Sequence, residues 1–98
     1  MTYSINKNGT VLEVTVSGRL DTVSAPDLEK ALIPVPEDID TLSYDFSSLD
    51  YISSAGLRTL LRAHRDMKAG GKTKITGCNS VVKEVFVVTG MTDLMEIN

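Results

Sequence analysis

Within the stretch from Leu42 to Leu61 the apolar residues change from strand period to helix period, and few local structures can satisfy both halves. Leu42, Tyr44 and Phe46 recur at every second position, as one face of a β-strand requires, whereas Leu57, Leu60 and Leu61 recur at the spacing of a helix face. Between them runs DFSSLDYISSAGLR, Asp45 to Arg58, a strand end and polar turn with an unusual concentration of hydroxyls. The helix must begin at Ser53 and Ser54. A helix start offers free backbone N–H groups and the positive end of the dipole, so negative charge placed there is stabilised.

The remaining elements follow from the same periodicities. Tyr3 and Ile5 alternate with Thr2 and Ser4, and Asn8-Gly9 supplies the positive φ of a hairpin turn. Leu12, Val14, Val16, Gly18 and Leu20 share one face of a second strand that delivers Asp21-Thr22 into a loop. A helix starts near Ser24, read as its N-cap with Pro26 in the first turn, and continues through Leu28 and Leu32 until Pro34 and Pro36 forbid more. After an acidic connector, Glu37 to Asp40, the third strand carries Asp45 to its end. The second helix is expected from about Ser54 to Ala69, closed by Gly70-Gly71. Lys72 to Thr76 reads as a short fourth strand at a sheet edge or on a partly exposed face. Val81 to Val88 is rich in β-favouring valine, but Lys83-Glu84 breaks two-residue alternation and Asn79-Ser80 and Gly90 stand where caps stand, so it reads as a helix. Leu94 to Ile97 is a last half-turn or a short docking strand.

Strands separated by helices imply right-handed crossovers and parallel pairs among strands two to four, with an antiparallel first hairpin. Because the strands alternate rather than run apolar throughout, the helices belong mainly on one face. The expected fold class is therefore α/β, a mixed sheet of about four strands under one helical layer. With 98 residues, 42% of them hydrophobic, the chain suits one domain spanning residues 1–98. A net charge of -3, with no continuous basic face, argues against nucleic acid as a partner. One cysteine, no leader pattern and no apolar run near the roughly 20 residues of a membrane helix point to a reducing, cytoplasmic setting and to no membrane.

Chemistry of the chain's own finds little support. Ser54 has no glycine two residues before it as a nucleophile elbow would, and His64, the one imidazole, sits inside the helix about two and a half turns away, continuing the apolar stripe as a structural histidine. Cys78 and His64 together make no metal ligand set, and Gly70-Gly71 follows a helix instead of opening one, so neither a metal nor a phosphate-bearing cofactor is expected. Taken alone, a serine before a helix is an ordinary N-cap worth about 1 kcal/mol, and Asp21 and Asp45 are ordinary loop or cap residues. Gly56 reads as a position where a side chain would block close approach, either of a neighbouring strand or of a partner.

The chain resembles the STAS domain family in its small bacterial form, the anti-sigma factor antagonists. The resemblance spans nearly the whole length and is carried by Gly18-Arg19-Leu20-Asp21 with Ala25, by Asp45-Phe46-Ser47, and by Tyr51-Ile52-Ser53-Ser54-Ala55-Gly56-Leu57. It implies a binding protein of partner switching, not an enzyme. In its unphosphorylated form such a protein binds an anti-sigma factor that is also a serine kinase; phosphorylation ends the binding and a serine phosphatase resets it. The resemblance implies Ser54 as phosphoacceptor and Asp21, Thr22, Ser53, Ser54, Ala55, Gly56, Leu57 and Arg58 as the partner-binding surface. Many members read Asp-Ser-Ser-Gly where this chain has Ser53-Ser54-Ala55-Gly56. Ser53 thus replaces the family's aspartate, either as the N-cap that frees Ser54 or as a competing hydroxyl. The alternative is a constitutive interaction or ligand-sensing module of the same fold, in which Ser54 only caps a helix.

Overall fold

The computed structural model describes residues 1–98. Strands β1 (Thr2–Asn8) and β2 (Val11–Leu20) form an antiparallel hairpin that turns at Gly9, whose φ of 63° lies in the left-handed region. Helix α1 (Ala25–Leu32), strand β3 (Thr41–Ile52), helix α2 (Ser54–Asp66), strand β4 (Lys72–Thr76) and helix α3 (Ser80–Val88) follow in alternation. A single 3₁₀ turn, Met91–Asp93, leads to the two-residue strand β5 (Glu96–Ile97). The sheet order is β1-β2-β3-β4-β5, with β2 to β5 all parallel. Each crossover therefore steps one strand in the same direction, and right-handed steps in one direction place every helix on the same face.

That face holds the core. Leu12, Val14, Val16 and Leu20 of β2, Leu42, Tyr44 and Phe46 of β3, and Ile75 of β4 are buried under Leu28 and Leu32 of α1, Leu57 and Leu60 of α2, and Val82 and Phe86 of α3. Phe46 stacks on Phe86 with ring centroids 6.4 Å apart, which ties the central strand to the last helix. The opposite face, with Glu13, Thr15, Asp45, Lys74 and Thr76, is exposed. Alternation in the strands, helical spacing in 81–88 and the single helical layer all agree with the sequence.

Several boundaries differ, each for a physical reason. The third strand does not end near Asp45 but runs on to Ile52, because register shifts between Thr15 and Ser17 and between Gly18 and Arg19 bulge β3 against β2. The bulges change the spacing of its buried residues from Phe46 to Leu49 to Ile52, so alternation disappears while strand pairing continues. Asp45 consequently sits mid-sheet, paired with Thr15 and Thr76, and its Oδ1 accepts the Ser47 N–H at 2.9 Å beside the first bulge. Helix α2 stops at Asp66, short of Ala69. Met67 turns to extended backbone and buries its side chain, while Asp66 Oδ2 accepts the Val35 N–H at 2.7 Å. Of the two readings of β4, the partly exposed face is the one found, with Lys72, Lys74 and Thr76 exposed, and the edge is not, since the tail docks beside it as β5.

Candidate functional site

Parallel pairing brings the ends of β2 and β3 together at the edge of the sheet where α1 and α2 begin. Leu20 pairs with Ile52, and the Ser53 N–H donates to the Leu20 carbonyl at 2.9 Å. The next residue on each strand therefore opens its loop at the same place, which sets the Asp21 turn beside the Ser53–Ser54 helix start. The register of the two strands thus brings these loops together.

Ser53 is the N-cap of α2. Its backbone is extended, with φ -99° and ψ 175°, and its Oγ accepts the Gly56 N–H at 3.4 Å. Ser54 is the first helical residue and is exposed, with its hydroxyl not engaged in the cap. No acidic side chain occupies the first turn of α2, so no negative charge on that helix already offsets the positive end of its dipole.

The facing turn is organised by Asp21 and Ser24. Asp21 Oδ1 accepts the N–H groups of Val23 and Ser24, both at 3.1 Å, while the Ser24 Oγ donates to the Arg19 carbonyl at 2.8 Å. The Ser24 side chain is thus spent on the turn and gives α1 no side-chain cap, contrary to the sequence expectation. The Ser24 backbone N–H, then its hydroxyl, the Val23 N–H and the Arg19 guanidinium hold the Asp21 carboxyl below the ordinary carboxylate range. Arg19 lies 4.3 Å above the Tyr51 ring and 3.7 Å from Asp21 Oδ2, joining the two strand ends across the surface. This Arg19–Tyr51 contact was not read from the sequence, because it depends on the second bulge, which puts those two residues in register.

The eight residues assigned to the partner surface separate by exposure. Thr22, Ser54 and Arg58 are exposed, and Asp21, Ser53 and Ala55 are half-buried. Gly56 and Leu57 are buried. A Cβ on Gly56 would lie 2.8 Å from the Ile52 side chain and 2.9 Å from the Leu20 carbonyl, so the glycine lets α2 rest on the sheet and shapes the surface from beneath. Of the two reasons for a glycine there, approach of the neighbouring strand is the one the packing displays. Val23, 86% exposed, adds an apolar side chain beside Asp21. An open groove of about 230 Å³ separates the first turns of α1 and α2, lined among others by Thr22, Ala55 and Arg58 and bounded by the Arg62–Glu29 ion pair at 3.0 Å. His64 takes no part: its Nδ1 lies 2.7 Å from the Thr73 hydroxyl, pinning α2 to β4.

No helix is long and apolar enough to cross a membrane. What the site offers chemically is a free hydroxyl at a positive helix end, a fixed carboxylate nearby and a rim of exposed side chains. In sequence and in fold the chain matches a known group of proteins. The family model described as the STAS domain matches residues 2–98. An anti-sigma-B factor antagonist from Bacillus subtilis (strain 168) is 26% identical over 95 residues, covering 96% of this chain and 87% of that protein. The crystal structure of an anti-sigma factor antagonist from Mycobacterium paratuberculosis superposes with a TM-score of 0.86 at 25% identity, over 98% of this chain and 83% of the other. The antagonist SpoIIAA shares the fold in its unphosphorylated form, TM-score 0.78 at 15% identity, and in its phosphorylated form, TM-score 0.76 at 17%, the matches covering 99% of this chain and 87% and 91% of those chains. This chain belongs to the STAS domain family, within the group of anti-sigma factor antagonists.

Proposed function

We propose that this protein is a phosphorylation-switched, cytoplasmic anti-sigma factor antagonist without catalytic activity of its own. In its unphosphorylated form it binds an anti-sigma factor with serine kinase activity through the surface around Asp21, Thr22, Ser54 and Arg58; phosphate on Ser54 releases that partner, and a serine phosphatase resets the protein. The observation that carries the reading is the division of labour between the two serines. Ser53 accepts the Gly56 N–H as the cap, which leaves the Ser54 hydroxyl exposed and free for modification.

The energetics favour a switch without refolding. Phosphate adds about -1.5 to -2 charges at a helix start that stabilises it by roughly 0.3 to 1 kcal/mol, so the domain tolerates it. A partner packed over the same surface has to bury that charge beside the ionised Asp21. A penalty of about 3 kcal/mol already weakens binding more than a hundredfold. Exposed Val23 and Thr22 fit a surface that meets another protein. Incubation with the cognate kinase and ATP, followed by mass-spectrometric mapping, tests the acceptor: phosphate on Ser54 is expected, and its absence there would overturn the assignment.

A further inference from the structure

Arg58 stands one helical turn after Ser54, at i+4 on the same face of α2, and both side chains are exposed. Residues so spaced have Cβ atoms about 5–6 Å apart, and a helical side chain leans toward the N-terminus, so a group carried on Ser54 lies within reach of the Arg58 guanidinium. An anion four residues before a cation is the favoured order for such pairs. Arg58 is also unengaged. The ion pairs of the molecule are Lys7–Asp38, Arg19–Asp21 and Arg62–Glu29, and the other arginine of the groove, Arg62, is held by both oxygens of Glu29 at 3.0 and 3.2 Å.

We propose that Arg58 is an intramolecular phosphate holder: on modification of Ser54 its guanidinium binds the phosphate oxygens and draws them down against the α1–α2 groove. The inference rests on Ser54 as the acceptor and adds a second consequence of its modification. Phosphorylation introduces charge and simultaneously withdraws Arg58, the one unpaired cation lining the groove, from any contact with a partner. Of the charged groups around the site, Asp21 and Arg19 at the end of β2 are already paired to each other, and Glu29, which lines the groove with Arg58, is already paired to Arg62. Arg58 is therefore positioned to respond to the phosphate without dismantling another ion pair.

The test uses full-length protein carrying phosphoserine installed at position 54 during translation, which separates it from the question of which residue a kinase selects. A ³¹P titration reads the second ionisation of the phosphate in the wild type, Arg58→Gln and Arg58→Lys. Contact with Arg58 favours the dianion, so Arg58→Gln is expected to raise the midpoint by roughly 0.3 of a pH unit and Arg58→Lys to keep most of the wild-type value. The Arg58 Nε–H resonance should also shift on phosphorylation of the wild type. Equal midpoints in all three proteins, with an unmoved Arg58 resonance, would overturn the holder while leaving the Ser54 switch intact; absence of kinase-dependent phosphate on Ser54 would overturn the switch and leave this measurement standing.

Discussion

Individual side chains divide sharply between those that serve packing and those that serve the surface. Tyr44 belongs to the first group and carries a defect: it is 1% exposed, and its hydroxyl has no hydrogen-bond partner. Burial pushes its ionisation well above the ordinary tyrosine range, as expected for a phenol kept neutral among apolar neighbours. An unsatisfied buried hydroxyl costs about 1–3 kcal/mol. Tyr44→Phe is therefore expected to raise stability by about 1 kcal/mol, visible as a higher urea midpoint with an unchanged slope. Gly56 behaves oppositely. Gly56→Ala gains about 1 kcal/mol of helix propensity but forces a methyl against the Leu20 carbonyl, which is backbone and cannot step aside. Overpacking of about 1–3 kcal/mol outweighs the gain, so the same urea measurement should show a net loss and a shift of α2 away from Leu20 and Ile52.

Among the elements, the cap of α2 and the Asp21 turn make the site, and each can be weakened separately. Ser53→Ala removes the acceptor for the Gly56 N–H; because that bond is long, at 3.4 Å, the expected cost is about 0.5 to 1 kcal/mol, with kinase-dependent phosphate still found on Ser54. The Asp21 turn responds to acid. Its carboxyl is held below its unfolded value, chiefly by the Ser24 N–H, so its contribution is complete above the ordinary aspartate pKa and is lost as the pH falls through the lowered folded value. Thermal midpoints measured from about pH 5 down to pH 2 should fall more steeply for the wild type than for Asp21→Asn. Much of this level was legible beforehand. The helix over 80–88 followed from Asn79, whose side chain does accept the Val82 N–H at 2.8 Å, and from the broken alternation at Lys83-Glu84. The length of β3 was not legible, because a bulge is a property of two paired strands, and the run from Ser47 to Ile52 shows only lost periodicity when seen alone. Ser24 misled for a similar reason: its composition is that of an N-cap, yet the Arg19 carbonyl and Asp21 claim its hydroxyl first.

At the scale of the molecule, the order of strands explains why the site lies where it does. A sheet built by successive right-handed steps keeps its helices on one face and gathers the starts of α1 and α2 at the carboxyl ends of β2 and β3. That arrangement followed from alternating strands and intervening helices, while Asp21 and Ser54 were singled out as candidates by the family resemblance; the groove that Arg62 and Glu29 bound could not be read at all, since no pattern specifies how two helices face each other. The same arrangement makes the proposed switch local: phosphate at Ser54 alters a surface charge on a domain whose core lies beneath it. Phosphorylated and unphosphorylated protein should accordingly give superimposable far-ultraviolet circular dichroism, with amide exchange altered only around Asp21–Ser24 and Ser53–Arg58. The central claim is tested most directly by capture from native lysate on immobilised wild type, Ser54→Ala and Ser54→Asp. The account predicts that a serine kinase of the anti-sigma type is retained by the first two and lost from Ser54→Asp; equal retention by all three would contradict it.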